Sequence, residues 1–201
     1  GDTNVSGIKW IASNPANIDI GIQRASAVLI LNDGETGFPF ACLESGIISA
    51  TRTVISAVAS LYYLNSKQNN VGRIGIIGNG FIARNFVDAL HAMNWNIEGI
   101  SLFDLNPSDS KSLKTYIEDK DLSAAKVESK LEDLVRECDV VVTTTTAGAP
   151  YINDVSWFEH APIVLNISLR DFGEEVILNA NNVMDDIDPV SYTHLTLPTR
   201  S

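Results

Sequence analysis

The 201-residue sequence is poor in the side chains that metal centres and disulfide-bonded folds require. It has two cysteines, Cys42 and Cys138, and three histidines, and their spacing matches neither a metal site nor a disulfide framework. Lysine and arginine total 14 against 25 aspartates and glutamates, which gives a formal net charge of −11. Such a charge repels nucleic-acid phosphates and anionic membrane surfaces. We therefore expect no metal, no nucleic-acid partner and no membrane partner, and a reducing, cytoplasmic location.

The two ends of the chain are unlike the ends of an ordinary domain. No initiator methionine and no basic and apolar leader is present, and a strand-like run begins at Ile8, so we expect the chain to start within a domain. Residues 190–201 resemble the translated adapter read-through found on fragmentary gene predictions. We predict that they form a non-native tail, with a genuine strand-forming tail as the alternative.

The first part of the chain has a β pattern that ends in a long helix. Strands are predicted over 7–12, 25–31 and 39–43, and the turn formers of 32–37 make the last two a hairpin of an antiparallel sheet. A helix is predicted over 45–64, and the polar run 65–70 reads as a linker. The prediction is a first domain over residues 1–64.

After the linker, short apolar strands alternate with helices. Strands are predicted over 73–77, 99–104, 140–145 and 163–167, and helices over 81–93, 110–118 and 131–137. Continuously apolar strands are typical of a parallel sheet that is covered on both faces. The predicted fold class is α/β: a Rossmann-type doubly wound parallel sheet over 71–189, joined to part of an antiparallel β domain.

The first predicted strand of this second domain runs directly into a G-x-G-x-x-A sequence, the fingerprint of dinucleotide-binding loops. The six residues are Gly78, Asn79, Gly80, Phe81, Ile82 and Ala83. Gly78 permits the tight turn, Gly80 lets the backbone approach a pyrophosphate, and Ala83 keeps helix and strand close. The helix that follows presents free N–H donors and the positive end of its dipole. An ordinary glycine turn is the alternative.

Three polar residues at the ends of later strands complete the predicted cofactor site. Asp104 ends the second strand at the spacing of a ribose-binding acid. A carboxylate there accepts hydrogen bonds from the 2′-hydroxyl and repels a 2′-phosphate, which favours NAD over NADP. Thr144 and Thr145 lie at the end of the strand predicted over 140–145 and would line the cofactor edge, although threonine is also a good strand former.

The helix predicted over 45–64 carries one charged side chain, Arg52. Small polar residues share its face at helical spacing: Ser45, Ser49, Ser56 and Ser60. An exposed helix usually mixes charges of both signs, so one arginine on a serine stripe favours a partly enclosed site for an anion such as a carboxylate. A solvated arginine, or one in an interface salt bridge, is the alternative.

Three further charged residues are weaker candidates. Lys9 lies in an otherwise apolar strand, where alternation alone places it on the outer face, and Arg24 directly precedes the next strand. Asp171 follows the strand predicted over 163–167, near the edge where parallel sheets bind ligands, so it could act as an acid or base. The alternative for Asp171 is a loop aspartate that caps a turn.

Taken together, several motifs resemble the ornithine cyclodeaminase/μ-crystallin family. They are Gly7 to Ile11, Arg24 to Asp33, Glu35 to Gly37, Thr51 to Thr53 and the glycine loop. Arg24 to Ala27, Pro150 to Ile152 and Asn166 to Asp171 look most like its 2,3-diaminopropionate branch. The cyclodeaminases themselves have a glycine-rich stretch where this chain has Ser168, Leu169 and Arg170. This difference weakens the case for a cyclising reaction.

The resemblance implies a homodimeric, NAD-dependent N-(2-amino-2-carboxyethyl)-L-glutamate dehydrogenase that supplies siderophore or antibiotic synthesis, and a substrate and dimerisation role for residues 1–64. It implies that Lys9 and Arg52 hold substrate carboxylates with help from Arg24, that Thr53 approaches the nicotinamide, and that Asp171, with Lys9, serves catalysis. An ornithine cyclodeaminase, a ketimine reductase, an alanine dehydrogenase or a non-catalytic nucleotide-binding relative are the alternatives.

Overall fold

The structure is a computed structural model and describes residues 4–184. Three antiparallel strands form the first sheet in chain order: β1 (Val5–Ser13), β2 (Ala25–Asp33) and β3 (Pro39–Glu44). The predicted hairpin between β2 and β3 is therefore present. A 3₁₀ helix at Pro15–Ile20, absent from the sequence prediction, links β1 to β2. The tail predicted at residues 190–201 lies outside the described residues.

A five-stranded parallel sheet forms the second part of the fold. Its strands are β4 (Asn70–Ile77), β5 (Asn96–Phe103), β6 (Ala125–Val127), β7 (Val140–Thr143) and β8 (Ile163–Asn166). Their order is β6-β5-β4-β7-β8, and every neighbouring pair is parallel, which confirms the predicted Rossmann-type class. The sequence pattern predicted four of the five strands and missed β6, which at three residues is too short to show a period.

Five α-helices accompany the sheets: α1 (Gly46–Leu64), α2 (Phe81–Ala92), α3 (Pro107–Glu118), α4 (Leu131–Glu137) and α5 (Glu174–Leu178). α4 has the predicted bounds, and α5 was not predicted. α3 begins three residues earlier than predicted because the Asn106 side chain accepts the Ser108 N–H and Pro107 occupies the first turn.

The end of helix α1 lies beside the start of β4, the central strand of the parallel sheet. Its buried residues Val54, Val58 and Leu61 belong to the main core, and α1 packs against α2. The Asn65 side chain, just after α1, donates to the Asn70 carbonyl at the start of β4. A helix of 19 residues is about 28 Å long. From its end at the start of β4, we expect α1 to extend far enough for its first turns to reach the carboxyl edge of the sheet, where the glycine loop lies.

Helix α1 is also, by length and composition, the one helix within residues 4–184 that could cross a membrane. Two observations favour a core-packing role instead. Its apolar residues Val54, Val58 and Leu61 form one face against the core, and the charged Arg52 lies on the opposite, exposed face. We therefore interpret α1 as a helix that packs on the core. The domain boundary predicted at 65–70 stays a prediction, since α1, which precedes it, shares one apolar core with the parallel sheet that follows it.

Candidate active site

The glycine loop begins where β4 ends, and its backbone geometry requires its first glycine. Gly78 has φ +84, and a Cβ placed there would lie 2.9 Å from the carbonyl carbon and oxygen of Thr144. The Thr144 hydroxyl donates to the Gly78 carbonyl at 2.5 Å, which fixes the turn against the end of β7. A Cβ at Gly80, by contrast, would meet no atom within 4 Å. The turn is tight at Gly78 and open at Gly80, as close approach of a pyrophosphate requires.

Asp104 and Asn79 hold the loop in place from two sides. The Asp104 carboxylate accepts the Asn79 backbone N–H at 2.6 Å and the Asn106 N–H at 2.8 Å. The Asn79 side chain is buried, where it donates to the Ile76 carbonyl and accepts from Ser110. Each Asp104 oxygen keeps a further acceptor position, which a ribose hydroxyl can use. Asp104 is thus placed as predicted, whereas the Asn79 side chain points into the protein.

The remaining members of the fingerprint divide between packing and surface. Ala83 is fully buried in the core, and Phe81 is half exposed at the start of α2. The first backbone N–H groups of this 12-residue helix lie beside the open Gly80. An open glycine, a free helix N-terminus and an acid with free acceptor positions fit a dinucleotide. These residues would hold its pyrophosphate and its ribose.

Asp171 is fully buried and is surrounded by hydroxyl groups. Thr145 donates to its Oδ1 at 2.5 Å, Tyr151 donates to the same oxygen at 2.8 Å, and Ser168 donates to Oδ2. No ion pair within residues 4–184 includes this carboxylate. Burial and, second, the hydrogen bond to Asp171 raise the pKa of Tyr151, so the phenol keeps its proton and remains a donor. This group, named here the Asp171 cluster, lies at the carboxyl edge beside the glycine loop.

Two of the cationic candidates, Lys9 from β1 and Arg52 from α1, lie at the surface of α1. Lys9 Nζ donates to Ser49 Oγ at 3.0 Å, and Arg52 is exposed one turn further along the helix. The expectation from alternation, that Lys9 faces outward from the sheet, was wrong. The outer face instead carries Ile8 and Trp10, which are 64% and 77% exposed. Strand alternation separates two faces but does not say which one a neighbouring helix covers.

The other predicted residues of this region are placed less directly. Thr53 is half-buried and donates its hydroxyl to the Ser49 carbonyl one turn earlier. Arg24 precedes β2, and its buried Nε has no hydrogen-bond partner within the described part of the chain. The roles of Arg24 and Thr53 therefore stay predictions.

Sequence reasoning did not single out two members of the Asp171 cluster, Tyr151 and Ser168. Tyr151 comes 20 residues before Asp171, and the two segments meet through backbone hydrogen bonds from Tyr151 and Ile152 to the Asp171 carbonyl. No short-range pattern signals such a contact. Ser168 is three residues from Asp171, and a serine at that spacing from a loop aspartate is a detectable signal for a local hydrogen bond.

Comparison with known proteins places the chain among enzymes of one family. It is 30% identical over 192 residues to the alanine dehydrogenase of Archaeoglobus fulgidus, which covers 93% of this chain and 58% of that protein. It is 30% identical over 190 residues to the N-((2S)-2-amino-2-carboxyethyl)-L-glutamate dehydrogenase of Staphylococcus aureus, which covers 92% of this chain and 55% of that protein. The chain thus spans between half and two thirds of the length of these relatives. Other relatives are Delta(1)-pyrroline-2-carboxylate reductases of Bacillus cereus and an ornithine cyclodeaminase of Brucella abortus.

Solved structures agree with the fold and with the predicted cofactor. An archaeal alanine dehydrogenase dimer with bound NAD superposes with a TM-score of 0.79 at 26% identity and covers 96% of this chain and 62% of that one. The Thermococcus litoralis Delta(1)-pyrroline-2-carboxylate reductase with NADH and L-proline gives 0.73 at 25% identity, over 85% of this chain and 53% of that one. The sequence profile of the ornithine cyclodeaminase/mu-crystallin family matches residues 1–175, and the chain belongs to that family.

Proposed function

We propose that this chain is part of an NAD-dependent dehydrogenase that oxidises N-(2-amino-2-carboxyethyl)-L-glutamate to 2-oxoglutarate and L-2,3-diaminopropionate. The observation that carries the proposal is the buried Asp171. Its carboxylate has no cationic partner among the described residues and lies at the same sheet edge as the glycine loop. A buried carboxylate without a cation is costly, and such groups concentrate at sites of acid or base chemistry. The 30% identity to the Staphylococcus aureus dehydrogenase supports the choice of substrate.

The proposed reaction balances as one oxidation and one hydrolysis. The glutamate Cα–H bond breaks, its hydride passes to NAD⁺, and a carbon–nitrogen double bond forms with loss of the amine proton. Water then adds to that carbon, the carbon–nitrogen bond breaks, and 2-oxoglutarate and the primary amine of diaminopropionate leave. NAD supplies the hydride acceptor when bound. Asp171 takes the proton from the amine or from the attacking water.

The substrate carries three carboxylates and therefore needs cations in an otherwise acidic chain. Lys9 and Arg52 supply them on the exposed side of α1, near its first turns. Both side chains are on one helix surface, since Lys9 bonds Ser49 and Arg52 follows Ser49 by three residues. We propose that they bind the substrate carboxylates, that Arg24 assists them, and that Thr53 lies near the nicotinamide.

The same proposal covers assembly and biological setting. The outer face of the first sheet exposes Ile8, Trp10 and Phe40, an apolar surface that suits a subunit contact. The archaeal alanine dehydrogenase is described as a dimer, which supports a homodimer of the full-length protein. The product would feed siderophore or peptide-antibiotic synthesis in the cytoplasm.

A substrate panel tests the proposed reaction. The full-length protein is incubated with NAD⁺ and one of N-(2-amino-2-carboxyethyl)-L-glutamate, ornithine or alanine, or with NADH and Delta(1)-pyrroline-2-carboxylate. NADH is followed by absorbance, and with ornithine, whose cyclisation regenerates NAD⁺, proline and ammonia are measured as well. We expect a signal with the first substrate and its loss in Arg52→Ala. A signal confined to another substrate moves the protein to another reaction of the family. Tight NADH binding without turnover on any of them indicates a binding protein.

A further inference from the structure

Within residues 4–184, hydrogen bonds fill three of the four acceptor positions of the Asp171 carboxylate. A carboxylate oxygen accepts two hydrogen bonds in the usual geometry. Oδ1 is filled by Thr145 at 2.5 Å and Tyr151 at 2.8 Å, whereas Oδ2 receives only Ser168. One position on Oδ2 is therefore left for a substrate nitrogen or a water molecule. The two carboxylate oxygens of Asp171 therefore differ: Oδ1 is filled by protein donors, and Oδ2 has room for one further donor.

Tyr151 is held beside Asp171 by the backbone as well as by its hydroxyl. The N–H groups of Tyr151 and Ile152 both donate to the Asp171 carbonyl, at 3.0 and 2.9 Å, and Gly173 N–H donates back to the Ile152 carbonyl. The isolated bridge between Ile152 and Phe172 continues this pairing. Ile152 is fully buried and Phe172 nearly so, and both belong to the smaller apolar core. The phenol is thus attached to a rigid segment.

The Tyr151 ring itself stands at the mouth of the cluster. Its residue is 37% exposed, whereas Asp171 is 0% exposed. The pKa of its hydroxyl is raised, first by burial and then by the carboxylate, so it donates throughout the neutral range. Tyr151 has the longest of the three donor side chains, since Thr145 and Ser168 are short.

We propose that Tyr151 is a positioning residue that occupies Oδ1 of Asp171 and thereby directs Oδ2 to the reacting nitrogen or water. This inference rests on the proposed catalytic role of Asp171. It extends that role to a residue that belongs neither to the glycine loop nor to the proposed carboxylate-binding residues Lys9 and Arg52. Without the phenol, Oδ1 has a free acceptor position, and the carboxylate can rotate or bind water there. A buried charge that loses one of three donors is also less well stabilised.

The kinetic test compares two tyrosine variants of the full-length protein. Tyr151→Phe should lower kcat roughly ten- to a hundredfold, the effect of losing one hydrogen bond to a charged group, with KM and NADH affinity changed less than about twofold. Tyr116→Phe is the matched control, because it removes a phenol-to-aspartate bond of 2.7 Å to Asp88, away from the site. In the Asp171→Asn background, Tyr151→Phe should cost nothing further. A further loss there overturns the proposal.

A spectroscopic test keeps the inference separate from the choice of substrate. Infrared difference spectra of the cofactor-free protein, assigned with Asp171→Asn, isolate the carboxylate band of Asp171. Tyr151→Phe should shift this band, and Tyr116→Phe should leave it in place. An unshifted band in Tyr151→Phe overturns the positioning role whatever the substrate is. A shifted band in a protein that turns over none of the panel leaves Tyr151 as the partner of Asp171 and rejects the proposed reaction.

Discussion

The carboxylate of Asp104 accepts the backbone N–H of Asn79 at 2.6 Å, so the acid at the end of β5 is bonded to the loop that follows β4. The same carboxylate accepts the Asn106 N–H just before α3. One side chain therefore sets the loop that would hold the pyrophosphate and also offers the acceptor that would hold the ribose. We therefore expect cofactor affinity and loop conformation to be coupled through Asp104.

Asp104→Asn should weaken NADH binding by roughly ten- to a hundredfold and reduce the preference for NADH over NADPH. An amide replaces one acceptor with a donor that faces the Asn79 N–H, and it no longer repels a 2′-phosphate. Fluorescence titration with both dinucleotides measures this. Asp109→Asn is the control, since Asp109 bonds only the Asn106 side chain, and it should bind as the wild type does. An unchanged preference in Asp104→Asn contradicts the assignment.

The two loop glycines should respond differently to alanine. Gly78→Ala places a Cβ 2.9 Å from Thr144 at a φ of +84, so we expect a loss of at least about 1–2 kcal/mol in the free energy of unfolding. Gly80→Ala meets no atom within 4 Å and should keep its stability but lose NADH affinity, because the methyl group occupies the space of the pyrophosphate. Urea unfolding and NADH titration separate the two effects. Equal stability losses would count against this loop geometry.

Cys138 should make the stability of the protein depend on alkaline pH. Burial raises the pKa of its thiol from 9.0 to about 11. Between these values the unfolded chain releases the proton and the folded chain keeps it, so this contribution is complete below pH 9 and is lost as the pH rises towards 11. Urea unfolding of Cys42→Ser against Cys42→Ser with Cys138→Ala measures the difference. The decline with pH should be less steep without Cys138, and parallel declines would contradict this.

If the full-length protein forms the proposed homodimer, Trp10→Glu should convert it to a monomer. Trp10 is 77% exposed on the outer face of the first sheet, and a buried, unpaired carboxylate at a subunit contact is strongly unfavourable. Light scattering after size-exclusion chromatography gives the mass. Met93→Glu, an exposed apolar position at the end of α2, is the control and should remain a dimer. A Trp10→Glu dimer would place the interface elsewhere.

The parallel sheet and its loop were predictable because their signals are local. A strand, a turn that needs a positive φ at Gly78 and an amphipathic helix follow one another in the sequence. Asp104 was found by its spacing from that loop, and the structure places it there. β6 and α5 were missed because three and five residues are too few to show a period.

The surroundings of Asp171 and Lys9 could not be predicted because they depend on long-range packing. Tyr151 reaches Asp171 only when the Ile152–Phe172 bridge forms. Lys9 was assigned to the outer face by alternation, but it lies on the opposite face, towards α1, where its ammonium group donates to Ser49. In both places the tertiary contact decides the role of a residue whose local pattern is ordinary.

The fate of the hydrogen on the substrate carbon tests the proposed reaction most directly. The full-length protein is given NAD⁺ and N-(2-amino-2-carboxyethyl)-L-glutamate with deuterium at the glutamate Cα, and the products are analysed by mass spectrometry. The account predicts one deuterium in free NADH, none in 2-oxoglutarate, and unlabelled 2,3-diaminopropionate in equal amount. Deuterium that returns to an amino-acid product without accumulation of NADH, as in a cyclodeaminase, would contradict it.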